Sequence, residues 1–330
     1  LVPVMTAERE RLVEHGDGSL TWVGRIAGDA QSTVTFAAGA ESVAGTVRTG
    51  GRLYKLLPAG KGRHVLSEVP PGDPYPELGP IPVGDTAVSS PTPPADALAV
   101  ADDGSSVDVL ALYTPASVNR YGGVDGIEAL IQLAITETNQ AYLNSGVVTR
   151  LRLAHTAMVD YTESGSMQTD LDRLRSVSDG YMDEAHALRD QFAADLVTLI
   201  EESPDYCGIA YLMTGLSTDF EDNAFSVVYS SCATGYYSFG HELGHNMGCD
   251  HDHDNAGGAV FPYSHGWQDP LEAFRTIMAY NCTGNCPKIQ HFSNPAVSYS
   301  GLPTGVADYA DNARSLNDTA YTVANWRSST

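Results

Sequence analysis

The sequence predicts an α/β (α+β) protein in two parts: a small antiparallel β-rich part, then a larger part with a mixed, mostly parallel sheet. Three observations carry this. Residues 1–68 are short β-rich runs broken by glycine and polar turns, residues 69–94 hold nine of the chain's 18 prolines, and beyond 105 apolar strands alternate with helical spacing.

In order, LTWVGRI, STVTFAAG, SVAGTVRTG, RLYKLLPAG and HVLSEV read as strands of the first part, which contains no cysteine. Proline as dense as in VPPGDPYPELGPIPVGDTAVSSPTPP excludes helix and interior strand, so 69–105 reads as an extended linker. VDVLALYTP (107–115) is then a buried strand, and GIEALIQLAITETNQAYLNSG (126–146) places apolar residues at helical spacing. VTRLRLAHTAMVDY is the next strand, 182–194 a helix, and DLVTLI, CGIAYLM and AFSVVYSS three more strands. A helix over about 234–247 follows, and ARSLNDTAYTVANWRSS closes the chain as another. The boundaries expected are therefore 1–68, 69–105 and 106–330.

The 330 residues carry 41 acids against 18 bases, a formal charge of −23, with 28 of the acids after residue 103. Binding to nucleic acid or an anionic membrane needs clustered Lys and Arg, so both are excluded as partners. No apolar run reaches the ~18–20 residues of a membrane span. A charge this negative suits a protein working outside the cell, with Ca2+ as a candidate ion beside any other. No basic-then-apolar leader stands at the start; if one existed, it is expected to have been removed already.

Five cysteines, Cys207, Cys232, Cys249, Cys282 and Cys286, make no CxxC pair, which argues for disulfides in an exported protein. One is left over, and fifteen arrangements are open to the sequence alone. We favour Cys207–Cys232 around a hairpin and Cys282–Cys286 closing a short loop, with Cys249 free.

The chemistry concentrates in HELGHNMGCDH, residues 241–251. On a helix, His241 and His245 lie one turn apart on one face, as two ligands of a tetrahedral zinc would. Glu242 follows the first ligand and can serve as general base towards a zinc-bound water. Gly248 can take the left-handed conformation that turns the chain back and returns His251 as third ligand. Three protein ligands leave a position open, which marks a catalytic rather than a structural zinc.

HExxHxxGxxH resembles the zinc-binding signature of the metzincin metallopeptidases. TIMAY (276–280) resembles their methionine turn, which implies that Met278 is a hydrophobic floor and that Tyr280 stabilises an oxyanion, as in astacin-like and serralysin-like members. YSFGHELGHNMG, RTIMAYNC and FSNPAVSYSGLPTGVADYADNARSLNDTAYTVANWR are similar to bacterial peptidyl-Asp metalloendopeptidases, over roughly 105–330. The resemblance implies a secreted, monomeric zinc endopeptidase with one catalytic Zn2+, acting on protein or peptide substrates and cutting on the amino side of Asp. An acidic P1′ side chain needs a cation in its pocket, and Lys288 and Arg275 are the two bases near the methionine turn. IAYLMTG (209–215), with Leu212, Met213 and Thr214, fits a rim strand that pairs with an extended substrate.

A β-rich first part and a proline-rich connection then read as a zymogen, the first part being a propeptide that blocks the cleft at high effective concentration. Residues 1–206 contain no cysteine, so a cysteine on the zinc is excluded as the block. Asp73, held between prolines, is the leading carboxylate, with Glu77, Asp85 and His64 competing. A metzincin-like binding module without activity would lack Glu242 or a ligand, and all are present. A thermolysin-type site would take Glu272, which has no helical motif around it, as third ligand. A broader-specificity enzyme that keeps 1–68 as a binding module is the remaining alternative.

Overall fold

The computed structural model describes residues 4–16, 18–70, 72, 75–83 and 102–327. Six antiparallel strands, β1 (Ala7–Glu14), β2 (Leu20–Ile26), β3 (Thr33–Ala38), β4 (Val43–Thr49), β5 (Arg52–Pro58) and β6 (His64–Val69), form one sheet in sequence order. Five of these are the runs expected from the sequence. The addition is β1, AERERLVE, a mostly exposed edge strand whose charges hide its alternation.

The second sheet is mixed. It holds β7 (Ile81–Val83), β8 (Ser106–Tyr113), β9 (Arg150–Met158), β10 (Leu196–Glu201), β11 (Gly208–Met213) and β12 (Phe225–Tyr229), in the order β7-β11-β12-β10-β8-β9. Strands β9, β8, β10 and β12 run parallel, β11 runs antiparallel to β12, and β7 pairs parallel to β11. Strands β8, β10 and β12 are near-continuous Val, Leu and Ile runs because both faces are covered. The stretch expected as a pure linker therefore supplies a strand. Its proline at 82 is tolerated because β7 lies at the sheet's edge.

Helices α1 (Pro115–Arg120) and α2 (Val124–Ser145) follow β8, and α3 (Met167–Arg175) and α4 (Glu184–Gln191) follow β9. The chain then reaches α5 (Ser230–Ala233) and α6 (Ser238–Asn246) after β12, and closes with α7 (Asn312–Val323). Helix α2 is buried on most sides because it lies between the two sheets. Towards the first sheet it offers Ala129 and Leu133, which pack on Ala37 and Ala44. Small side chains there let backbones approach closely, and Gly60 meets Gly122 at a spacing that admits no Cβ.

Polar groups complete that junction. Thr46 donates to the Glu137 carboxylate, which also accepts from the Gly235 amide at 2.7 Å. Arg48 donates to Gly235 O and Lys55 to Ser231 O, each at 2.7 Å, and Lys55 stands 4.4 Å over the Tyr236 ring. The first sheet thus grips the segment that leads into α6. Burial pulls Lys55 down to about 7 and pushes the Glu137 carboxyl up.

The disulfides are Cys207–Cys232 and Cys282–Cys286, and Cys249 is free and buried. The first ties the start of β11 to α5, one turn of chain before α6.

Candidate active site

Helix α6 carries His241, Glu242 and His245, all fully buried. Two glycines let it sit where it does. A Cβ at Gly240 would come within 2.8 Å of Thr138 on α2, and one at Gly244 within 2.9 Å of the Met278 sulfur. Met278 thus packs directly beneath the histidine helix, fully buried. At the far end, Asn246 donates to Tyr211 O at 2.8 Å and Phe225 O at 3.1 Å, fixing the helix to β11 and β12.

The helix stops at Gly248, whose φ of +88° is left-handed. The chain doubles back and brings His251 to the other two histidines. The three Nε2 atoms stand 3.1 Å apart in every pair. Each Nδ1 faces a carbonyl: Ile277 O at 2.9 Å for His241, Cys249 O at 2.8 Å for His245 and Asn255 O at 3.4 Å for His251. A carbonyl can only accept, so each Nδ1 carries the proton and each Nε2 presents a lone pair.

Three lone pairs pointed at one another are repulsive without a cation. Nitrogen ligands of a tetrahedral zinc at ~2.0–2.1 Å stand roughly 3.3–3.4 Å apart, so the observed triangle fits a zinc site. Burial and the neighbouring imidazoles hold His241 and His245 well below the usual histidine value, and burial takes His251 to about 3. All three are therefore neutral, as ligands must be. Among the described residues two groups converge closely enough to hold an ion: this triad, and Glu77 with His241 and Glu242. Neither is the all-oxygen set that Ca2+ takes.

Glu242 is fully buried, and neither of its oxygens has a hydrogen-bond partner among the described residues. Desolvation, then the neighbouring Glu77 charge, push its carboxyl well above the usual range. It fits only because residue 208 is glycine: a Cβ there would lie 2.4 Å from Glu242 Oε1. Sequence reading missed Gly208, since a lone glycine opening a strand carries no mark of what sits beneath it.

Tyr280 lies on the other side of the triad, its ring 4.3 Å from that of His251. Its amide donates to Asp252 Oδ1 at 2.9 Å and its hydroxyl to Glu77 O at 3.3 Å. Burial pushes its hydroxyl up, so it is a neutral donor. Asp250, also missed, accepts from the amides of His251, Gly257 and Gly258 at 2.7–2.9 Å and so shapes the loop behind the third histidine.

Of the two bases near the methionine turn, Lys288 is buried and pairs with Glu77 Oε1 at 3.1 Å. Arg275 is also buried, and donates to Ala279 O at 2.8 Å and Cys286 O at 3.3 Å, bracing the turn against the disulfide loop. The rim residues Leu212 and Met213 pair with Pro82 and Val83, and the Thr214 amide donates to Val83 O at 3.2 Å. The edge of β11 is therefore covered by the chain's own residues 81–83. Asp73 and Asp85 lie outside the described residues. His64 is remote from the triad, accepting from the Val43 amide at 2.9 Å, whereas Glu77 is beside it.

Comparison with known proteins agrees with this geometry. Residues 103–293 match metallo-peptidase family M12, in its Reprolysin_5 group. A peptidyl-Asp metalloendopeptidase of Stenotrophomonas maltophilia (strain R551-3) is 37% identical, over 97% of this chain and 80% of the relative. One from Xanthomonas campestris pv. campestris is 39% identical, over 87% of this chain and 68% of the relative. In fold alone, a chain from the structure of a chaperone-substrate complex is similar over 86% of this chain and 39% of its own length, with a TM-score of 0.52 at 16% identity. With its histidine triad and buried glutamate, the chain belongs to metallo-peptidase family M12 and is a zinc metalloendopeptidase.

Proposed function

We propose that the chain is the precursor of a secreted, monomeric endopeptidase that cuts on the amino side of Asp. Residues 1–68 are its propeptide, 69–105 its activation segment and 106–330 its catalytic part. The observation that carries the specificity is Lys288, a buried cation beside the histidine triad that already holds a carboxylate. The names of the relatives point the same way. A blocking role for the activation segment is supported by β7, which lies within it and covers the β11 edge that an extended substrate would use. Two disulfides suit an oxidising compartment.

His241, His245 and His251 would hold the zinc. When bound, zinc supplies a Lewis acid that polarises the scissile carbonyl and makes water more acidic. Glu242, beside the triad, would take the proton from the attacking water and hand it to the leaving amine. Tyr280 donates its hydroxyl hydrogen bond to the developing oxyanion. The backbone of Leu212–Thr214 aligns the substrate, and Lys288 receives the acidic P1′ side chain, while Arg275 keeps the turn beneath Lys288 in place.

Cleavage-site profiling on a peptide library, with and without a chelator, tests metal use and P1′ choice together. Cleavage before Asp, abolished by chelation and spread to other residues in Lys288→Met, is expected. An undiminished Asp preference in Lys288→Met would refute the assignment. N-terminal sequencing of the secreted enzyme tests the precursor: a start near 100–107 is expected, and a start near Leu1 would make the first part a retained module.

A further inference from the structure

Glu77 is held in the cleft by its carbonyl, by one carboxylate oxygen and through the residues on either side of it. The Pro76 carbonyl accepts from the Cys207 amide at 2.9 Å, and the Leu78 amide donates to Gly208 O at 3.4 Å, so the backbone on both sides is tied to the rim. Its own carbonyl accepts from Tyr280. Its Oε1 accepts from two donors at 3.1 Å each, Lys288 Nζ and Ser238 Oγ. Its Oε2 is buried and has no partner among the described residues, close to His241 and Glu242.

We infer that Ser238 and Lys288 together form a two-donor subsite for an acidic side chain, and that Glu77 is the resident occupant that keeps the intact chain latent. The inference rests on the precursor reading and the acidic preference proposed above, and adds to them Ser238 as a specificity residue and Glu77 as the lock. Ser238 is the first residue of α6 and stands three positions before His241, on the same helical face. An acidic side chain bound there is thereby placed beside the triad. The site also lies at a helix N-terminus, where a carboxylate is favoured. A substrate side chain that replaces Glu77 must satisfy both donors, because an unpaired buried ammonium is costly. The lock and the selectivity are then one device. A buried ion pair adds little net stability but is specific about its geometry, which suits a contact that must later be exchanged.

The test uses the full chain and two fluorogenic peptides identical except for Asp or Asn at P1′. Glu77→Gln is expected to raise turnover of the Asp peptide by the uncleaved chain about tenfold or more. Adding Ser238→Ala to that variant should lower kcat/KM for the Asp peptide about tenfold, mainly through KM, and change the Asn peptide less than about twofold. Ser238→Thr, which keeps the hydroxyl, should restore most of the loss. As a control against misfolding, the nonapeptide YPELGPIPV (75–83) added in trans should inhibit Glu77→Gln at least about ten times better than its Gln counterpart. A Glu77→Gln chain as latent as the parent, or equal inhibition by the two nonapeptides, would overturn the lock. Ser238→Ala lowering both substrates alike would overturn the subsite. Equal cleavage of the Asp and Asn peptides by Glu77→Gln itself would remove the acidic preference on which both rest.

Discussion

Gly208→Ala isolates the placement of Glu242, the proposed general base, from everything else in the site. The new Cβ would stand 2.4 Å from Glu242 Oε1, 2.6 Å from its Cγ and 2.7 Å from its Cδ, where ordinary contact begins at 3.4 Å. Gly208 has no positive φ, so alanine suits the strand backbone, and the yielding partner is the flexible end of Glu242. The carboxylate must retreat by about 1 Å, and displacements of that size cost about 10²-fold in rate. This corresponds to about 2.7 kcal/mol of transition-state stabilisation. The zinc ligands are untouched, so metal content should stay at the parent's level and stability should change by less than about 1 kcal/mol. Steady-state kcat on a saturating Asp peptide, zinc content by elemental analysis and a denaturant titration together make the assay. A parental kcat would show that the glycine is not what lets Glu242 stand where it does. Loss of zinc would show that the damage is spread through the site.

Other outcomes follow from the same geometry. Chelation should abolish activity and lower the melting temperature, because three Nε2 lone pairs would face one another at 3.1 Å, and Zn2+ should restore both; activity that survives chelation would contradict the site. Burial lowers His291 from 6.5 to about 4, so the stability it leaves intact above pH 6.5 is lost as pH falls towards 4. Denaturant midpoints should show a decline of about 1.4 kcal/mol per pH unit in that window, flattened in His291→Gln. Replacing both cysteines of Cys207–Cys232, 25 residues apart, should cost about 3–4 kcal/mol, and those of Cys282–Cys286, four apart, about 2 kcal/mol in chemical denaturation. Glu137→Ala leaves the Thr46 hydroxyl and the Gly235 amide without their acceptor, and should cost about 1–3 kcal/mol and make the first sheet more sensitive to limited proteolysis.

The histidine helix and its glycine stop are legible in the sequence because they are local: spacing on one helix and one turn determine where three side chains go. The buried strands are legible for the same reason, since runs such as LVTLI need no partner to be recognised as covered on both faces. Strand β1 escaped because Arg and Glu at alternate positions on an edge look like a solvated loop. Helix α3 escaped because it buries a stripe of only Met167, Asp170, Leu171 and Leu174 in a polar segment. The part played by 75–83 could not be read at all. Its prolines exclude interior strand, and only the open edge of β11, more than a hundred residues later, makes an extended proline-rich segment a partner. Asp73 lies outside the described residues, and the place of its competitor Glu77 beside the triad depends on where β11 ties the backbone, which spacing in the sequence does not show.

The junction between the first sheet and α2 has a further consequence. Its fully buried apolar cluster is small, four side chains that are mostly alanine, and much of its holding power lies in Thr46, Arg48, Lys55 and Glu137. A junction of that kind separates without leaving grease behind. The face of α2 that would meet water presents Gln132, Thr136 and Glu137 beside Ala129 and Leu133, a surface close to that of an ordinary soluble helix. If the first sheet is a propeptide, as proposed, a catalytic part that had shed it would need no replacement cover against aggregation.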